Sequence, residues 1–215
     1  MSMSLGFLTS LAIVGAAWWR RRKDLSQKSG LQKPQPQSDT KFELPENYYF
    51  HWGHTWLLEQ TRETARVGID AFAATLLGEI EKINVTGEQR WVRQGQKLMT
   101  LSYRGGTVDM VSPLEGVVTA LNQEVIRNPA LVLSDPYQAG WVCAIKSPNM
   151  EINKRNLVEG ARAASWMQNS LTRLKRMLAE AEPALAQDGG MPVLGVLGKL
   201  SCEMRQRVVN EFFLT

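Results

Sequence analysis

Leu98-Met99-Thr100-Leu101-Ser102-Tyr103-Arg104-Gly105-Gly106-Thr107-Val108-Asp109-Met110-Val111-Ser112-Pro113-Leu114-Glu115-Gly116-Val117-Val118 is the stretch on which the fold turns. Two apolar runs rich in β-formers flank a Gly-Gly pair. That is the signature of a β-hairpin, because both central residues of a type I′ turn need φ > 0 and glycine meets this without a steric penalty. Gly105-Gly106 is therefore expected at the turn, with Arg104 at its tip. The second arm ends at Ser112-Pro113, and a Val-rich strand opens beyond it.

Working outward, many short strands separated by Gly and Pro predict a mainly β domain of sandwich or barrel type, followed by helices. Upstream, Tyr48–Leu57 is aromatic and strand-like, and Ala65–Ile69 is a second strand. Asp70 is placed to cap a short helix over 71–77, with Gly78 just beyond its end. Residues 79–85 alternate as a strand. Downstream, residues 117–121 form a strand, Asn128-Pro129 and Ser134-Asp135-Pro136 mark loops, and Trp141–Ile145 is the last strand. Ala164, Met167, Leu171, Leu174, Leu178 and Ala181 recur at spacings of three and four, one apolar stripe of a helix packed on the β domain. Gln187-Asp188-Gly189-Gly190 interrupts the chain. Ser201 is placed to cap a final helix, whose Met204, Val208, Val209, Phe212 and Phe213 require a covering surface, in cis or in trans.

The N-terminal part has a different texture. Residues 1–19 carry no charge and end in Trp18-Trp19, and Arg20-Arg21-Arg22-Lys23 follow at once. Nineteen helical residues span about 28 Å, close to the hydrocarbon core of a bilayer. The order of apolar run and charge is the reverse of a signal peptide. It predicts one transmembrane helix in an inner or plasma membrane, with the body of the chain on the cytoplasmic side. A mitochondrial transit peptide and a misassigned start codon are the alternatives. The expected divisions are an anchor with basic flank over 1–23, a flexible polar linker over 24–44, the main domain over 45–183, and a C-terminal helical extension over 184–215. A flexible linker of this length reaches about 20–25 Å.

Charge excludes one class of partner. The net charge is +4, from 25 basic and 21 acidic residues. Set aside the basic cluster at 20–23 and the two signs balance, leaving no nucleic-acid footprint. Cys143 and Cys202 have neither metal nor redox spacing and are expected as reduced thiols. His51 and His54 stand three apart. On a strand they would face opposite sides, which suits packing or hydrogen bonding rather than a shared metal. No acylating Ser/His/Asp set, phosphate loop or carboxylate pair stands out, so no catalytic residue is assigned and the chain is not expected to be an enzyme. Asn84-Val85-Thr86 matches a glycosylation sequon, which has no meaning for a cytoplasmic domain.

Taken in order, these segments resemble the glycine cleavage system H-protein family, a relative of lipoyl domains. The resemblance runs from about Tyr48 to about Leu178. It rests on His54-Thr55-Trp56, on Val67-Gly68-Ile69-Asp70-Ala71-Phe72-Ala73 with Leu77-Gly78-Glu79-Ile80, on Ser112-Pro113-Leu114-Glu115-Gly116-Val117-Val118, and on Asn122, Asn128-Pro129, Asp135-Pro136-Tyr137 and Gly140-Trp141. The resemblance implies a barrel-sandwich hybrid. It also implies a lysine at the hairpin tip, whose lipoate carries an aminomethyl group between the glycine-cleavage enzymes. This chain departs from that pattern. Leu101-Ser102-Tyr103-Arg104 stands where the family has Glu-Ser-Val-Lys, and the hairpin is one residue longer before Ser112-Pro113.

Arg104 thus occupies the lipoyl-lysine position. Its guanidinium stays protonated and is no nucleophile. The nearest lysine, Lys97, lies back along the arm. The family cofactor, lipoate, is therefore not expected here, and neither is any other cofactor or metal. Tyr103, Arg104, Gly105 and Gly106 are the candidate binding tip, since Arg and Tyr are common anchors on a rigid turn. The expected function is that of a membrane-anchored, non-lipoylated binding module or adaptor with protein partners. The alternative is a glycine-cleavage or lipoate-metabolism component that docks a partner enzyme. Periplasmic pump adaptors, which also join an anchor to a lipoyl-like domain, are set aside because no coiled-coil insertion is present.

Overall fold

Every strand pairing in the domain is antiparallel, and the strands divide between two sheets. The computed structural model describes residues 42–181 and 194–214, so the apolar stretch 1–19, its basic flank and nearly all of the expected linker lie outside the described residues. Among the described residues no helix is long and apolar enough to cross a membrane. The strands are β1 (Tyr48–Phe50), β2 (Thr55–Thr61), β3 (Thr64–Ile69), β4 (Ile80–Val85), β5 (Trp91–Val92), β6 (Lys97–Tyr103), β7 (Gly106–Val111), β8 (Gly116–Leu121) and β9 (Cys143–Lys146). Sheet order is β1-β2-β3-β9-β8-β5 in the larger sheet and β4-β6-β7 in the smaller. The core gathers alternate residues from both: Leu57, Val67, Ile69, Met99, Leu101, Met110, Val118 and Ile145 are all buried. Period-two patterning places these side chains on the inner faces.

Helix α1 (Ala71–Leu77) crosses between the sheets and starts as the sequence predicts. Asp70 Oδ1 accepts the Ala73 N–H at 2.9 Å, and Gly78 ends the helix at φ 71°. The expected single strand over Tyr48–Leu57 is instead two strands joined by a tight turn. His54 sits at φ 61°, the His54 N–H bonds the His51 carbonyl, and the His51 N–H bonds the Thr55 carbonyl. His51 and His54 are therefore turn residues, and the strand geometry expected for them does not apply. The stretch expected as loops around Asn128 and Ser134 contains two short helices, α2 (Gln123–Arg127) and α3 (Leu131–Ser134). Asn122 caps the first, accepting from the Glu124 and Val125 N–H groups. Local Asn and Pro signals mark helix ends as readily as turns, which is why patterning alone missed them. The last strand begins two residues later than expected, at Cys143, because the Val142 N–H is taken by the Val67 carbonyl and the register with β3 starts at Cys143.

Past the β domain come α4 (Met150–Lys154) and the 22-residue α5 (Gly160–Ala181), which buries Met167, Leu171, Leu174 and Leu178 of its predicted stripe. A 3-10 turn (Val196–Lys199) and α6 (Cys202–Phe213) close the chain. Ser201 Oγ accepts the Met204 N–H at 3.3 Å, as a capping residue should. The apolar face of α6 finds its cover in cis: Met204, Val208, Val209, Phe212 and Phe213 are buried in the same core as the sheets.

Candidate functional site

The hairpin of β6 and β7 forms with Tyr103 opposite Gly106, Ser102 opposite Thr107 and Leu101 opposite Val108. Its two-residue loop is therefore Arg104-Gly105, not Gly105-Gly106. Gly105 takes φ 117°, a conformation open to glycine, while Gly106 is already the first residue of β7 and Arg104 keeps an ordinary φ. The expected type I′ turn, with both central residues at φ > 0, is thus not formed. An L-residue at the first loop position leaves the reversal to Gly105 alone.

The four expected tip residues separate into two groups. Arg104, Gly105 and Gly106 are at the surface. Tyr103 is 2% exposed and points into the domain, where burial raises its phenol pKa against the opposing effect of Arg205. It is a core residue and offers no surface to a partner. Lys97 pairs with Val111 near the hairpin's root, and its ammonium lies 2.8 Å from Asp109. Burial disfavours the Asp109 carboxylate, but Lys97 and the Thr100 hydroxyl outweigh that and keep its pKa below the usual range.

The tip is not free. The C-terminal segment lies against its backbone. A Cβ built on Gly198 would fall 2.4 Å from the Arg104 carbonyl oxygen, so only glycine fits there. At the end of α1 the constrained glycine is Gly78, whose added Cβ would fall 2.6 Å from Gly195 Cα, and the Gly195 N–H donates to the Thr75 carbonyl at 2.9 Å. Arg205 on α6 then ties three pieces together. Its Nε donates to the Leu197 carbonyl at 2.9 Å, its Nη2 to the Leu200 carbonyl at 3.0 Å, and its Nη1 to the Gly105 carbonyl at the hairpin tip. Arg104 looks out over a cleft of about 420 Å³ that it shares with Glu79, Leu194 and Lys199. Sequence reading did not single out Arg205 or the Gly195–Gly198 pair. Two glycines three apart before a capped helix are a signal of close backbone approach, whereas nothing local distinguishes Arg205 from Arg207, the other cation of its helix.

Beneath this cap lies a buried polar pair. His54 Nδ1 is 2.8 Å from Asp70 Oδ2, and neither side chain is measurably open to solvent. The imidazole is stacked between Phe72 and Trp166, with ring centroids 4.3 and 4.7 Å away, and Phe212 and Phe213 close the cage. The other oxygen of Asp70 caps α1, so the pair fixes the β1–β2 turn to the start of the helix. Its role is structural, since every face is taken by packed aromatic side chains.

The comparisons with known proteins agree with this architecture. The sequence model of the family described as glycine cleavage H-protein matches residues 48–170, more than half of the chain. A relative named "Probable glycine cleavage system H protein 2", from Sulfolobus acidocaldarius, is 31% identical over 136 residues, covering 62% of this chain and 91% of that protein. A "Glycine cleavage system H protein" from Legionella pneumophila is 39% identical over 93 residues, covering 43% of this chain and 74% of its own length. Among solved structures, a glycine cleavage system H protein from Mycobacterium marinum superposes with a TM-score of 0.50 at 20% identity, over 59% of this chain and 98% of that one. The fold built from these residues and the extent of the match lead to one conclusion: the chain belongs to the glycine cleavage H-protein family.

Proposed function

We propose that this chain is a non-carrier member of its family, a binding module that keeps the H-protein scaffold and carries no lipoate. The observation that carries the reading is Arg104 at the apex of the hairpin. An amide to lipoate needs a primary amine with a free lone pair, and a guanidinium has none to give. Further support comes from the cap: Gly198 packs closely against the Arg104 carbonyl and Arg205 donates to the Gly105 carbonyl, so the turn is held against the body rather than presented alone. Protein partners of a glycine-cleavage kind fit the names of the relatives, and a lipoate-metabolism partner and attachment to a membrane through residues 1–19 belong to this reading on sequence alone.

Intact-mass measurement of the protein purified from its native host tests the proposal. An unmodified mass is expected, and a lipoyl increment overturns it. Affinity capture with wild type and Arg104→Ala then examines the binding role. Loss of a partner with the substitution is expected, and identical recoveries reject the exposed tip as its anchor.

A further inference from the structure

A second concave site lies at the other end of the hairpin, more than about 20 Å from its tip along β6. The cleft, about 410 Å³, is formed by the β1–β2 turn, the Gln94-Gly95 turn ahead of β6, and the connection from α4 into α5. Its charge is one-sided. Arg155 and Arg162 both line it and, among the described residues, no acidic one does. Among the described residues, neither arginine has a carboxylate within ion-pair distance. Arg162 stands in the first turn of α5, a 22-residue helix with no acidic residue in that turn. A cation there opposes the helix dipole, whose N-terminal end favours negative charge. Glu159, just before the helix, adds to burial in raising the Tyr49 phenol pKa and has no cation within ion-pair distance among the described residues.

Two further groups point to what would relieve this imbalance. His51 is nine-tenths buried yet lines the cleft. Its Nδ1 accepts the Gly53 N–H at 3.1 Å, so in the neutral ring the proton resides on Nε2. No hydrogen bond to that Nε2 is found among the described residues, and it is not one of the buried unpartnered atoms, so this N–H remains open to solvent on a residue that lines the cleft. Trp52 is 46% exposed, with its ring held edge-on against Trp166 at 5.9 Å, so a flat apolar face stands beside the cations. The wall is rigid. Gln94 Nε2 is fixed by the Pro113 and Asn153 carbonyls, and its Oε1 accepts from Asn156.

We propose that this cleft binds a small flat organic anion, with its phosphate or carboxylate between Arg155 and Arg162, the His51 Nε2–H as a third donor, and its apolar body on Trp52. Guanidinium groups suit such oxyanions because their forked donors match two oxygens at once. The site is independent of the hairpin tip, so its fate does not depend on whether the chain carries lipoate.

The test uses the full chain at pH 7 and constant ionic strength, with phenyl phosphate and inorganic phosphate as probes. Binding is followed by calorimetry and by the tryptophan indole N–H signals in NMR. Saturable binding of phenyl phosphate, with the Trp52 indole signal shifting, is expected. Arg155→Gln with Arg162→Gln should weaken both probes about tenfold or more, the loss of at least one charge-assisted hydrogen bond. Trp52→Ala should weaken phenyl phosphate and leave inorganic phosphate unchanged. All three are exposed side chains outside the core, so the variants are expected to stay folded. Failure to saturate at millimolar phenyl phosphate, or equal affinity in wild type and the double-arginine variant, overturns the proposal.

Discussion

Replacing Arg205 by methionine tests the cap on the hairpin directly. Methionine keeps most of the apolar stem and removes all the donors. Three carbonyls lose their partner: Leu197, Leu200 and Gly105. The bonds to Leu197 and Leu200 are partly buried and contribute about 1–1.5 kcal/mol each, the usual net value for a protein hydrogen bond. The bond to Gly105 is exposed and adds little, because water replaces it readily. The expected loss is therefore about 2–3 kcal/mol, which for a domain of this size lowers the melting temperature by about 5–10 °C. Urea unfolding gives the free energy, and amide exchange at the Val196–Lys199 turn and at Gly105 shows where the loosening occurs. Arg205→Lys separates geometry from charge. An ammonium cannot hold three carbonyls spread around a planar fork, so lysine should recover no more than about a third of the loss. A methionine variant within about 0.5 kcal/mol of wild type, the range of an unremarkable surface substitution, would refute the reasoning, as would full recovery by lysine.

Three other outcomes follow from the same geometry. Burial, aided by His54, lowers the His51 pKa from 6.5 to about 4. The unfolded chain then binds the extra proton first, so stability falls as pH drops from 6.5 toward 4, by up to about 3 kcal/mol, a limb that His51→Gln should flatten in pH-dependent urea unfolding. Asp109 and Asp135, with lowered pKa values, add to acid unfolding only below that window. Asp70→Ala removes a helix cap and the partner of a buried imidazole together. It should cost about 3 kcal/mol by denaturant midpoint, while Asp70→Asn, which can still cap, costs less. Phe212→Ala empties a fully buried ring site beside Phe72 and His54 and should cost about 3–5 kcal/mol, measured calorimetrically. A near-neutral result would place α6 outside the cooperative core.

What the sequence determined by itself was whatever short-range chemistry dictates. Two runs of β-formers around a Gly-Gly pair set the strands of the hairpin. The Asp70 and Ser201 caps set where two helices begin, and the ordered motifs from His54 to Trp141 identified the family. That the turn of the hairpin carries an arginine was also legible, since it is a property of one residue. Tertiary structure decided everything that depends on which surfaces meet. Tyr103 has the same strand pattern whether its ring faces a partner or the core, and only the register with Gly106 and the approach of Arg205 turn it inward. The hairpin register likewise moved the loop one residue back, to Arg104-Gly105, because cross-strand pairing outweighs the local preference of a Gly-Gly pair. The apolar face of α6 announced a need for cover, but not that the cover would be the domain's own aromatic core. His51 and Trp52 on one turn and Arg155 and Arg162 more than a hundred residues later share a cleft only because the β1–β2 turn packs against the start of α5, a juxtaposition that no local pattern encodes.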